Sequence, residues 1–194
     1  MNKVQLFDTE TILSLTWPAT LEGQYAKKYI LPFIQNRSGF YINNVDTQMK
    51  ALQVDDLILP VTINGGEYQN SYVCSPYTHY VTYAKEELPL IGNNLLRTLL
   101  HLLLESLGWI LQRGQINKVV IVNNWLLSTN LYSPLTTSQL TTITKKLVSL
   151  FPHHAIVFRS VNSHSPNSLL KYLEECRYQK VISRQVYFYD PTSK

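Results

Sequence analysis

Two spacings of apolar residues alternate along the second half of the chain. KVVIVN (118–123), HAIVFR (154–159) and VISRQVYFY (181–189) are short apolar runs that read as strands. Between them, Leu140, Ile143, Leu147, Leu150 and Phe151 recur at helical spacing, as do Leu169, Leu170, Leu173 and Cys176. They predict helices over 137–151, opened by Thr136 or Thr137 and stopped by Pro152, and over 166–178, opened by Ser165-Pro166. Upstream, leucines from Leu95 to Leu111 occupy nearly every side of a longer helix capped by Asn93 or Asn94 and ended by Gly114. That pattern predicts a helix buried on most sides. Strands that alternate with helices of this length require crossover connections within one sheet.

The first half is patterned differently. TILSLTW (11–17) reads as a short strand ended by Pro18, and 21–35 as a helix with Tyr25, Ala26, Tyr29, Ile30 and Phe33 near helical spacing. MKALQV (49–54) and LILPVTI (57–63) flank Asp55-Asp56, a two-residue turn. Asn64-Gly65-Gly66 is a second turn, and EYQNSYVCSP (67–76) supplies a third strand of an antiparallel meander. The whole predicts an α+β fold, a mixed central sheet flanked by helices, in a single domain over residues 1–194.

At 45% hydrophobic and 15% charged, the composition is that of a soluble globular chain. Asp8 and Glu10 interrupt any apolar core of a signal peptide, and Arg97, His101 and Glu105 break the leucine run, so neither a leader nor a membrane span is expected. Cys74 and Cys176 form no CxxC pair, which suits a cytoplasmic chain with free thiols. Charge is uneven. Residues 1–105 hold 7 Lys/Arg against 10 Asp/Glu, whereas residues 106–194 hold 10 against 3. Such a basic half suits an anionic partner (phosphate, RNA or acidic lipid) or simply a solvated face. The 13 tyrosines suit half-buried sheet faces or a binding surface.

Candidate chemistry is sparse. Nucleophile-elbow, Walker, HExxH and dinucleotide fingerprints are absent, and the adjacent His153-His154 point apart, so no metal site is expected. Tyr77, His79 and Tyr80 place a histidine among aromatic rings, where it can act as a base or orient an amine. A satisfied, partly buried loop is the plainer explanation. Asn123 and Asn124 end the central strand, where open sheets bind ligands and where asparagines also terminate strands. Arg159 and Asn162 end the next strand; an arginine there can clasp a carboxylate or phosphate.

The order of elements, with QVDDLILPVTI (53–63), NSYVCSPYTHY (70–80) and SPNSLLKYLEECRYQKVISRQVYFY (165–189), resembles the GNAT acyltransferase fold, including the domains of FemAB-type aminoacyltransferases. The likeness spans roughly residues 10–190. It implies transfer of an acyl or aminoacyl group to an amine, with acyl-CoA or aminoacyl-tRNA as donor, and the paired units of FemAB-type proteins imply a further domain. The segment that would hold a CoA pyrophosphate, NNWLLSTNLYSPLTT (123–137), contains no glycine, and none occurs after Gly114. In the closing helix Leu173 falls where the resemblance places a frequent catalytic tyrosine, with Tyr172 one residue away. The other expectation, from a different class, is a non-catalytic binding or scaffolding module that presents its basic half to an anionic partner.

Overall fold

The computed structural model describes residues 3–162 and 168–183. Five strands, β1 (Val4–Phe7), β2 (Gln48–Val54), β3 (Leu57–Asn64), β4 (Val119–Val122) and β5 (Ala155–Phe158), form one sheet in sequence order. The first four pair antiparallel in succession, and β4–β5 pair parallel from Val119↔Ala155 to Val122↔Phe158. Helices α1 (Leu21–Gln35), α2 (Tyr83–Glu87), α3 (Asn94–Arg113), α4 (Thr137–Leu150) and α5 (Leu169–Glu175) complete an α+β architecture.

Local chemistry explains the connections. Asp55-Asp56 joins β2 to β3 with Val54 opposite Leu57, and Asp55 takes φ 50, a left-handed conformation that Asp tolerates better than most residues. Parallel strands need a long crossover, and α4 supplies it between β4 and β5. Its first turn carries a capping box: Thr136 Oγ1 accepts from Gln139 N while Gln139 Oε1 accepts from Thr136 N. Pro60 lies inside β3, one residue past the last β3–β4 pair, Val61↔Val122. A strand residue points its N–H and C=O to the same side. Since the Pro60 carbonyl accepts from Asn124 N at 2.9 Å, its nitrogen faces the place where that ladder has ended.

Alternation along the strands sends side chains to two cores. On one face Phe7, Met49, Ala51 and Ile58 pack with Ala26, Ile30 and Ile34 of α1. On the other, Leu52, Val54, Leu59, Val61, Val120 and Val122 pack with Leu140, Ile143 and Leu147 of α4 and Leu169 and Leu173 of α5. All four residues of β4 are buried, as a central strand requires.

Four expectations differ from the structure. Residues 11–17 hold a 3₁₀ turn, Ile12–Ser14, because Asp8 binds the Thr11 hydroxyl and amide and starts a turn; the edge strand is Val4–Phe7. Residues 67–76 are not a strand. Asn70 and Ser71 bond instead to the backbone at Asp46 and Asn44, and β3 takes β4 as its neighbour. Val181–Ser183 is irregular; Ser165-Pro166 and the rest of the predicted last strand lie outside the described residues. Lastly, α3 is not buried on most sides. Only Gly108 is fully buried, and Leu95, Leu96, Leu99, Leu102, Leu103, Trp109 and Ile110 are exposed.

Candidate functional site

The segment between β3 and α3 is pinned by one buried asparagine. Asn117 donates from Nδ2 to the Glu67 carbonyl and to Ser75 Oγ, and its Oδ1 accepts from Tyr77 N at 3.0 Å. Thr78 Oγ1 donates to the Asn70 carbonyl at 2.7 Å. This fixes the start of a π-helical turn, Thr78–Thr82, that runs into α2. The wider turn places His79 and Tyr80 side by side, their rings edge to face at 4.8 Å.

Around them an aromatic cluster forms. Tyr72 lies 6.1 Å from the His79 ring and 5.3 Å from the Tyr83 ring, and the Arg159 guanidinium sits 5.8 Å from the Tyr72 ring centroid. Arg159 follows the last residue of β5, so the cluster lies beyond the carboxyl end of that strand. Residues 182 and 183 pass across it. The Tyr80 hydroxyl donates to the Ile182 carbonyl at 3.0 Å, and His79 Nε2 meets the Ser183 carbonyl and hydroxyl at 3.1 and 3.0 Å. Burial pushes the Tyr80 and Tyr83 phenols up, so both stay protonated at neutral pH. Beneath the cluster Cys74 is fully buried; desolvation drives its thiol up to about 12 against the pull of the Arg159 charge. It is no nucleophile at neutral pH.

The sequence candidates divide. His79, Tyr80 and Arg159 converge on the Tyr72 cluster. Tyr77 turns away, stacking edge to face on Tyr68 and reaching Gly108 of α3. Asn123 and Asn124 are buried and hold the loop that leaves β4. Asn123, at φ 57, donates to the Leu131 carbonyl and accepts from Trp125 Nε1. Asn124 donates to Thr62 Oγ1 and the Val73 carbonyl, both at 2.8 Å. Asn162 is half-buried just past β5. Sequence reasoning passed over Tyr72 and Tyr83. The only available signal was their place on either side of the 77–80 cluster, and assigning 67–76 to a strand hid Tyr72.

The loop that leaves β4 closes on the residues that follow β5. The Arg159 carbonyl accepts from the Tyr132 hydroxyl at 2.7 Å and from Asn130 Nδ2, Arg159 Nη2 donates to the Leu127 carbonyl, and Ser160 Oγ donates to the Ser128 carbonyl. A separate shallow groove of about 540 Å³ runs past Tyr68, Asn70, Tyr77 and Tyr83. Among the described residues no group of three or more His, Cys, Asp or Glu is placed to hold a metal ion, and no helix is long and apolar enough to cross a membrane. No protein-family model, curated protein or solved structure matches the chain.

Proposed function

We propose that the chain is a GNAT-like transferase domain of the FemAB kind, which moves an acyl or aminoacyl group onto an amine. The observation that carries this is the meeting of His79 and Arg159 at Tyr72, beyond the carboxyl end of a strand in the parallel pair that, among the described residues, closes an otherwise antiparallel sheet. Ligands of open α/β sheets bind at such ends. The residues supply complementary roles. Arg159 holds an anionic group of the donor, the Tyr72, Tyr80 and Tyr83 rings line the approach, and His79 takes the proton of the attacking amine. The amine nitrogen bonds to the donor carbonyl carbon, the ester carbon–oxygen bond to the carrier breaks, and the amine proton passes by way of His79 to the departing oxygen, which leaves as a hydroxyl.

The loop after β4 does not fit a CoA pyrophosphate. Phosphate at a helix N-terminus needs free amides and close main-chain approach. At α4 the Thr136–Gln139 capping box occupies two of those amides, Gln139 Nε2 also binds Asp55 at 3.0 Å, and the loop carries no glycine. An aminoacyl ester carried on RNA suits the basic second half better. The test is transfer from aminoacyl-tRNA to a small amine. His79→Ala is expected to lower the rate by about 10²–10⁴-fold with the fold intact, and Arg159→Lys to weaken donor binding while leaving Cys74 buried. Undiminished turnover in His79→Ala would sink the assignment.

One observation favours the second reading, a non-catalytic module holding an anionic partner. The loop from Leu127 to Tyr132 closes on Arg159, at the end of β5. Such a module binds RNA without turnover, and its affinity falls steeply with salt.

A further inference from the structure

The α3 helix presents an apolar face to solvent that nothing in its own chain covers among the described residues. Leu95, Leu99, Leu102 and Trp109 are 72%, 55%, 59% and 60% exposed, and Leu96, Leu103 and Ile110 are 47%, 62% and 58% exposed. Leu95, Leu102 and Trp109 recur every seven residues, as do Leu96, Leu103 and Ile110, so the two rows run side by side along the helix. Together with Leu99 and Ser106 between them they span about 140° of its circumference. The opposite side, Arg97, Leu100, Leu104, Gly108 and Leu111, is the one turned inward, against the segment that ends in α2 and the turn Leu88–Leu90.

From this we infer that α3 pairs with α3 of a second copy, antiparallel, about a two-fold axis between Leu102 and Leu103. The choice of a second copy rests on the stripe's own symmetry. Turning the helix end for end about that point sets Leu95 against Ile110, Leu96 against Trp109, Leu102 against Leu103 and Leu99 against Ser106. The stripe maps onto itself, as an isologous interface demands. The small Ser106 leaves room for Leu99, and the pairing is knob against hole at the one polar position. Charges are compatible as well. Arg97, Glu105 and Arg113 fall opposite Gly108, Leu100 and Gly92, so no like charges meet. Glu105 is already held by Lys85 at 2.7 Å, and Arg113 stacks on Trp109 at 5.3 Å, closing the end of the stripe.

The area is sufficient. Covering a large apolar side chain removes on the order of 100 Å² from water. Seven on each copy give on the order of 1,400 Å² in all, inside the range of about 1,200–2,000 Å² typical of stable complexes. A patch of this size also exceeds the roughly 300–600 Å² that is the largest on a typical monomer. The pairing is independent of the transferase assignment, since it uses none of the residues around Tyr72.

Light scattering on a size-exclusion column tests it. The expected result is twice the chain mass at micromolar concentration, falling to the single-chain mass in Leu102→Glu/Leu103→Glu with an unchanged circular dichroism spectrum. Both leucines are exposed, so the substitutions spare the core. Val148→Glu, on the exposed side of α4, leaves the dimer mass unchanged. For the register, mixing a Leu99→Cys chain with a Ser106→Cys chain gives a linked 99–106 peptide on oxidation. A wild-type monomer overturns the inference. So does a Leu99→Cys chain that links to itself as efficiently, or a monomer whose α3 face binds phosphatidylcholine vesicles.

Discussion

Asn124, two residues past β4, has every polar atom of its side chain engaged: Nδ2 to Thr62 Oγ1 and the Val73 carbonyl, Oδ1 to Leu126 N at 3.2 Å. Its position at the end of a strand was legible in the sequence. Its partners were not, because Thr62 and Val73 come from residues more than fifty positions away. Asn124→Ala strands a buried carbonyl and an amide without water, so a loss of about 2–4 kcal/mol is expected, measured by urea unfolding. A variant as stable as the parent would return Asn124 to the list of ligand contacts. Asp8 carries a pH dependence. The Thr11 hydroxyl at 2.8 Å, then Lys50 at 3.1 Å, hold its carboxyl down to about 2 from the ordinary 3.8. A carboxylate with a depressed folded-state pKa stabilises fully above its unfolded value, and loses that contribution as pH falls through the folded one. The stability gap between parent and Asp8→Asn is therefore present at pH 5 and above, and it closes between about pH 4 and pH 2. Asp8 is partly exposed, so salt also narrows the gap.

Two glycines separate kinds of helix packing. A Cβ on Gly23, in the first turn of α1, would lie 2.4 Å from the Pro18 carbonyl oxygen, a backbone atom that cannot yield without moving the chain entering the helix. Gly23→Ala is expected to cost about 1–3 kcal/mol despite alanine's better helix propensity. A Cβ on Gly108, in α3, would meet the Tyr77 hydroxyl at 2.9 Å and Val81 Cγ1 at 3.3 Å. The hydroxyl tips a movable side chain, so the propensity gain of about 1 kcal/mol and the crowding nearly offset. In a Tyr77→Phe background the crowding goes, and Gly108→Ala becomes stabilising. Thermal unfolding of the four variants checks the coupling; identical effects of Gly108→Ala in both backgrounds would refute it. Elements with a strong local signal were legible: α1, β2, β3, α4 with its Thr136 cap, and β4. The 67–76 segment was misassigned because its Asn and Ser side chains outcompete a ladder for backbone partners, and periodicity does not register such bonds.

Across the whole molecule, the alternation of strands and helices foretold the parallel β4–β5 step, since only a crossover of α4's length can join them. The environment of α3 was not foretold. Leucines on every side read as burial, whereas the structure buries one narrow side and leaves the other to be covered by something else. Nor did sequence place Tyr72 between His79 and Arg159, because Tyr72 sits in the misassigned segment. This division has a consequence for dynamics. Val61 and Val120, inside a sheet covered on both faces, exchange their amide hydrogens only through global unfolding. The amides of α3 rest on one packed side and open more easily in a single chain. If two copies pair through the outward side, dilution below the dimer dissociation constant speeds exchange across Leu95–Ile110 and leaves Val61 and Val120 unchanged. Hydrogen exchange by mass spectrometry at two protein concentrations reads this directly. Protection of α3 equal to that of β4 and independent of concentration would mean that its own domain holds the helix, and the leucine face would then need another explanation.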